Sequence, residues 1–433
     1  MSTPAITALS YKSVEISSLD GSRRIDLTNS ILFADYFEDI LSPCVTMTLQ
    51  ISSQYSIFNG LPIRGGEIVT FDVETFSGEF KLDREFSMHV YKVGGIVTDA
   101  NKEIFTLHLV SREGLTNETI RVQKKYELRP INEHVTSILR DVLRTTKYRS
   151  ENIERTSNSF AFIGTLKKPF TVLTWLGPKS VPSTSSSGRN GNRGRGVSGF
   201  LFYENKDGFN FRSIDSLVAS TRNQVGSTQR ENIPRYTYSQ AITENSDANN
   251  FSILNYAFEK NIDLMKSLRV GMYSNVTYFY DLYRNKLDGI TYKINEEIQS
   301  KLGGEGRLNY PQEFGSRPSR ILFRTSDAGV VDRDGTTRES GRDVVDMAKS
   351  FSRYNLLFTQ SLNMVVPLNV NLRAGGLIYA QFQKVDASKS GESDEEQSGN
   401  YLIKELRHHF EGGQMVTSLR LIRDSYGLYG ANQ

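Results

Sequence analysis

The side chains best suited to acid–base or metal chemistry are five histidines, His89, His108, His134, His408 and His409. None sits in a His-Glu-x-x-His pair, and the single cysteine, Cys44, excludes both a thiolate zinc cluster and an intramolecular disulfide. His408 and His409 are neighbours in a strand-like run, where successive side chains point to opposite faces, so they would not converge on one ion. The segment "GVSGF" lacks the Gly-x-Ser-x-Gly spacing of a nucleophile elbow. The glycine-rich "SGRNGNRGRG" lacks the Gly-Lys-Ser/Thr ending that holds a nucleotide and its magnesium, so it reads as a linker. Its Arg189, Arg193 and Arg195 would be solvated or would touch DNA phosphates. Glycoside cleavage needs two carboxyls at a fixed separation, which the acids of the polar run "GESDEEQ" do not offer. Asp346 and Glu405 are not set apart from surface acids. No catalytic residue, cofactor or metal is assigned.

Without a catalytic constellation, the elements themselves become the subject. A chain of 433 residues exceeds one ordinary core, and 38% hydrophobic content with 24 Phe and 21 Tyr describes an aromatic-rich globular protein. A net charge of only +3 gives no basic footprint for gripping duplex DNA. No segment reads as a signal peptide or approaches the ~20 apolar residues of a membrane span, so folding in a cytoplasm is expected.

Period-two alternation dominates residues 1–112. In "VTMTLQIS", Val45, Met47, Leu49 and Ile51 share one face. Residues 68–73, "REFSMHVYKV" and "EIFTLHLV" repeat the pattern, with turn signals at Asn59-Gly60, Gly65-Gly66, Gly94-Gly95 and Asp99-Ala100-Asn101. An antiparallel barrel or sandwich follows. Residues 113–230 read as a mixed α/β domain. It has a helix in "INEHVTSILRDVLRTT", a shorter one in "KPFTVLTWLG" stopped at Gly177-Pro178, a mobile loop at 179–198, and an aromatic hairpin around Asn205-Lys206-Asp207-Gly208. Residues 231–433 read as a second β domain interrupted by an insertion at about 299–355. Strand-like runs are expected in "SLRVGMYSNVTYFYDLYRN", "RILFRT", "PLNVNLRAGG" and "LIYAQF", with a helix in "GRDVVDMAKSFSRYN". A closing hairpin turns at Gly412-Gly413, and the acidic, serine-rich 386–399 is expected to be disordered.

The two β sections share an order of parts. "IRGGEIVTFDVETF" and "LRAGGLIYAQFQKV" each place a glycine pair, Gly65-Gly66 or Gly375-Gly376, ahead of a strand. Each section then ends in a Leu-x-Leu strand, "FTLHLVSRE" or "VTSLRLIRD". These glycines are assigned as structural turns leading into the strands, where a side chain would penalise the backbone; ordinary hairpin punctuation fits them equally. Duplication of one small β domain is the reading. A chain with two like domains, assembled as a closed trimer, would present six similar units around an axis.

The runs "VSREGLTNETIRVQKKYELRPINEHVTSILRDVL", "KPFTVLTWLGPKSV", "SGFLFYENKDGFNFRSIDSL" and "PLNVNLRAGGLIYAQF" resemble the central baseplate hub protein family of T-even-type contractile-tailed phages. The likeness covers most of the chain outside 179–198, 299–340 and 386–399. It implies two tail-tube-type antiparallel β-barrels plus a smaller mixed α/β domain, and a homotrimer that adapts threefold to sixfold symmetry. The implied partners are a central spike protein, a tail-tube or tube-initiator protein and baseplate wedge proteins. DNA would pass only in transit through a lumen, with no stable membrane insertion. The implied location is the virion tail baseplate, assembled in the host cytoplasm. Related hubs occur in phage-derived secretion and tailocin apparatus. Other readings from the residues are a tail-tip glycan hydrolase and a glycan-binding module that stacks sugars on "FLFYENKDGFNF".

Overall fold

The computed structural model describes residues 10–54, 57–99, 102–183, 198–219, 233–238, 250–260, 263–281, 285–293, 302, 313, 317–326, 340–384 and 393–425. The protein is mainly β, with large antiparallel ladders. The first section supplies β1 (Ser10–Ser17), β2 (Arg24–Asp26), β3 (Ile31–Asp39), β4 (Thr46–Ser53), β5 (Ile68–Thr75), β6 (Gly78–Leu82), β7 (Met88–Asp99) and β8 (Lys102–Ser111). A single helical turn, α1 (Ile57–Gly60), stands where Asn59-Gly60 reads as a turn. Alternation translates directly into burial. Met47, Leu49 and Ile51 of β4 and Phe105, Leu107 and Leu109 of β8 are all buried, while Thr46, Thr48 and Gln50 between them are half-buried.

The middle section carries α2 (Arg112–Thr119), β9 (Lys125–Pro130), α3 (Ile131–Ser137), β10 (Tyr148–Ile153), β11 (Ser159–Ile163), α4 (Pro169–Leu176), β12 (Phe200–Asn205), β13 (Gly208–Ser213) and α5 (Ile214–Ala219). α3 runs on as a π-helical turn to Val142, burying Ile131, Val135, Ile138 and Leu139 on one stripe. α4 starts on Pro169 and tightens at Gly177 into a 3₁₀ turn. β12 and β13 form the expected hairpin, with Asn205 opposite Gly208. These elements share an aromatic core of their own.

The last section holds β14 (Arg235–Thr237), β15 (Asn255–Lys260), α6 (Leu264–Arg269), β16 (Ser274–Asp281), β17 (Lys286–Lys293), β18 (Arg320–Ser326), α7 (Ser340–Leu356), β19 (Gln360–Pro367), β20 (Leu377–Gln381), β21 (Gly399–Glu411) and β22 (Val416–Arg423). Strands β16, β17 and β18 make a separate three-stranded sheet. Three expectations need correction. "SLRVGMY" opens as helix α6 because Asp263 caps it through Lys266 N, 2.9 Å away. Leu368, Val370 and Leu372 are buried but lie in turns past β19, since the chain must swing from β19 to β20 there. Residues 393–398 are ordered: Asp394 accepts the N–H groups of Glu396 and Gln397, and Ser398 Oγ bonds Phe382. Residues 386–392 lie outside the described residues, as do Arg189, Arg193 and Arg195 and most of 299–340.

The two β sections share one fourteen-stranded sheet, with the path β15-β19-β22-β21-β3-β4-β8-β7-β5-β1-β2. Its first four strands repeat the order of the next four, so β15, β19, β22 and β21 stand where β3, β4, β8 and β7 stand. β20 pairs with β21 as β5 pairs with β7. The register agrees too: Met47 and Leu49 face Leu109 and Leu107, as Leu362 and Met364 face Leu421 and Leu419. Each β7-type strand carries a bulge at one matched position, between Val90 and Lys92 and between Ile403 and Glu405. Buried side chains of both sections merge into a single core. The ladder path is open, and among the described residues no strand joins its ends, so neither section closes on itself into the expected barrel. β3, the edge strand of the first section, is taken instead by β21 of the second.

Candidate functional site

With no catalytic cluster among the described residues, the structured candidate is the seam between β3 and β21 together with the two strand edges left open. The seam is antiparallel, running from Glu405 opposite Asp39 to Glu411 opposite Phe33. Arg407 donates to both oxygens of Asp35 from Nε and Nη2, at 2.7 and 2.8 Å, and His409 Nδ1 reaches the same carboxylate at 2.7 Å. Lys404 Nζ holds Asp39 at 2.9 Å. The Arg407 side chain is 42% exposed, so its pair is worth about 1 kcal/mol at most; it selects register while the backbone ladder holds the strands.

Beneath the seam lie charges that are fully enclosed. Glu38 accepts the N–H of Lys206 at 2.7 Å, the N–H of Ala374 at 2.8 Å and the Tyr36 hydroxyl at 3.1 Å. Burial pushes its carboxyl above the usual range, against the pull of Arg373 and these donors. It thereby joins β3, the β12–β13 turn and the segment before β20. Glu204 accepts the Val45 N–H at 3.1 Å and meets Lys147 at 3.4 Å, whose ammonium also holds Glu113 at 2.9 Å. Burial raises Glu204 to about 7 even beside that ammonium. Arg353 of α7 pairs with Asp424 at 2.8 Å and Asp215 at 3.2 Å. These groups tie the middle section to the sheet. They are structural ties, because each already meets a protein partner.

The histidines take packing roles. His408 is enclosed, stacked on Tyr36 and edge-on to Phe80, with Nδ1 3.0 Å from Thr417 Oγ1; burial first, then the charge of Arg373, lowers it to about 3. His409 lies on the opposite face. His134 Nε2 meets Phe160 O at 2.7 Å, His89 Nδ1 meets Gly66 O at 3.1 Å, and His108 rests against Tyr91. No group of three ligating side chains that could hold a metal occurs among the described residues. Phe200, Phe202, Phe209 and Phe211 of the aromatic hairpin are at most 4% exposed, so they cannot stack on sugars; a glycan-binding role for that hairpin is withdrawn.

Gly65, Gly66 and Gly375 have φ of 106°, 97° and 83°, while Gly376 is not in the left-handed region. Hydrogen bonds explain the offset. Gly66 N–H donates to Val90 O and Val90 N–H to Glu67 O, as Gly375 N–H donates to Ile403 O and Ile403 N–H to Gly376 O. Gly66 therefore corresponds to Gly375, and the two glycine pairs are displaced by one position. Asp35, Glu38, Lys404 and Arg407 escaped the sequence reading. Charges inside strand-like runs were their one visible signal, and their partners stand hundreds of positions away.

The open edges complete the site. Beyond Val90 the outer edge of β7 has no strand partner among the described residues, and Tyr91, Ile96 and Val97 are 50%, 56% and 61% exposed. Beside it opens a cleft of about 810 Å³ walled by Tyr91, Cys44, Val110, Leu115, Phe170 and Trp175. β15 ends the sheet on the far side and exposes Asn255, Ala257 and Glu259. An extended edge with apolar side chains is a template for pairing with another chain.

No protein-family profile matches the sequence. Across 420 residues, 95% of this chain and 93% of the other, it is 20% identical to the "Probable baseplate hub protein gp334" of Vibrio phage KVP40. The fold is similar to the tail protein from Neisseria meningitidis MC58, with TM-score 0.53 and 11% identity over 95% and 96% of the two chains. It is equally similar to the 43 kDa tail protein of prophage MuSo2 from Shewanella oneidensis, with TM-score 0.53 and 8% identity over 97% and 100%. All three names are those of tail parts, and none is that of an enzyme. Among the described residues no helix is long and apolar enough to cross a membrane.

Proposed function

We propose that this baseplate-hub-type protein works as a homotrimeric ring, adapting the threefold symmetry of a central spike to the sixfold symmetry of a tail tube. One observation carries the reading: two sections with the same strand order are joined edge to edge inside one chain, and among the described residues β15 and the part of β7 beyond Val90 have no strand partner on their outer edges. The internal seam is thus a worked example of how one unit meets the next. Three chains would set six tube-type units around a lumen, satisfying the exposed edges through their neighbours. Gly65, Gly66, Gly375 and Gly376 would shape the turns leading into β5 and β20.

Function then resides in the backbone and in shape, not in bond chemistry. The spike, the tube or its initiator and the wedge proteins would dock on the ring's two faces and rim, within the virion baseplate. The net charge of +3 over the whole chain gives no basic footprint for gripping DNA, in keeping with DNA passing only in transit. The test is the mass of the purified protein by light scattering. Three chains per particle is expected, and a monomer or dimer at all working concentrations would contradict the reading.

A further inference from the structure

The internal seam also specifies, residue by residue, how one copy would meet the next. Leu107 corresponds to Leu419, because each faces the matched residue of β4 or β19. Following the ladders outward, Tyr91 takes the place of the bulged Lys404, and Val97, opposite Ile104, takes the place of His409, opposite Val416. On the other side Ala257 faces Asn363 as Asp35 faces Thr48, so Ala257 takes the place of Asp35. In the seam, His409 stands opposite Asp35. We propose that copies of this chain join by antiparallel pairing of β15 with the outer edge of β7 of the next copy, Val97 opposite Ala257, with the start of α6 covering the cleft beside Tyr91.

The occupant of the cleft follows from the same correspondence. In the seam, Ile40 just past β3 is fully buried, donates its N–H to Lys404 O at 2.9 Å and packs with Leu402 and Ile422. The counterparts of Lys404 and Ile422 are Tyr91 and Val110, both in the cleft wall. By the same ladders the counterpart of Ile40 is Asp263, the cap of α6, and Met265, two residues on, is 61% exposed. An apolar cleft therefore stands at one end, and at the other an exposed apolar side chain stands two residues past the matched position. The contact is head to tail, the type that closes into a ring when the rotation fits. This inference rests on the ring reading and assigns its interface.

The test uses the full chain with Cys44→Ser, Val97→Cys and Ala257→Cys under mild oxidation, with mass measured in parallel. Expected are disulfide-linked species of two and three chains and nothing larger. Their yield should be at least about tenfold above that of Thr98→Cys with Ala257→Cys, whose side chains leave opposite faces of the sheet. Three-chain particles without that excess would overturn this pairing and leave the ring standing; the absence of three-chain particles would overturn both. Should the cysteine variant fail to fold, hydrogen exchange on the unaltered protein decides. The amides of 92–99 and 255–260 that face away from β8 and β19 should exchange at least about tenfold more slowly in the assembled protein than in the dissociated chain, and equal rates would overturn the pairing.

Discussion

His408 shows what a buried titratable group does when it has no catalytic role. Its folded value of about 3 lies below the ordinary value near 6.5. Between these the unfolded chain binds a proton that the folded chain refuses, so stability falls as pH drops through that window, by up to about 1.36 kcal/mol per pH unit. The raised carboxyls of Glu38 and Glu204 act in the opposite sense, losing stability as pH rises above their ordinary range. The readout is therefore the difference between variant and parent. Urea unfolding at pH 7 and pH 4.5 should show a smaller acid-side loss for His408→Phe than for the parent; an unchanged loss would remove His408 from the account. Glycine geometry gives a second residue-scale prediction. A Cβ at Gly375 would sit in the left-handed region and collide with the Tyr203 hydroxyl, whereas at Gly413, φ +93°, it would meet open space. Gly375→Ala should cost about 3 kcal/mol and Gly413→Ala about 1 kcal/mol in urea unfolding. Equal costs would deny the close approach.

At the scale of elements, much of the fold was legible. Val69, Phe71 and Val73 of β5, the Leu-x-Leu strands and the β12–β13 turn carry local signals, in side-chain period and turn chemistry, that need no distant partner. The failures were also physical. Leu368, Val370 and Leu372 alternate like a strand because all three are buried, yet burial at turn positions gives the same letters. α6 was hidden because Asp263 caps it just ahead of the run that looked strand-like. The seam was illegible, since Asp35 and Arg407 are far apart in sequence and nothing local says which edge a strand will use. Glu38 makes the seam testable. Glu38→Ala would strand the N–H groups of Lys206 and Ala374 in a dry interior, at about 1–3 kcal/mol each. Urea unfolding should lose about 2–6 kcal/mol, while Glu405→Ala on the half-exposed surface should lose under about 1 kcal/mol. A neutral Glu38→Ala would show that the enclosed carboxylate does not organise the seam.

For the whole molecule, repetition within the chain is the observation on which the proposed assembly rests. The glycine pairs hinted at it, though displaced by one position; the matched bulges and the shared strand order establish it as geometry. Among the described residues the sheet leaves β15 unpaired at one end and β7 unpaired beyond Val90, and a neighbour of the same kind would complete both edges. Dilution should then expose those edges: below the association range the dissociated chain should aggregate or bind a hydrophobic dye, and a monodisperse, dye-silent monomer would argue against unsatisfied edges. The most direct measurement is a cryo-electron microscopy reconstruction of the purified protein computed without imposed symmetry. The account predicts three chains forming a ring of six like β units around an open centre. Chains joined through the mixed α/β domain, or any number other than three, would contradict it.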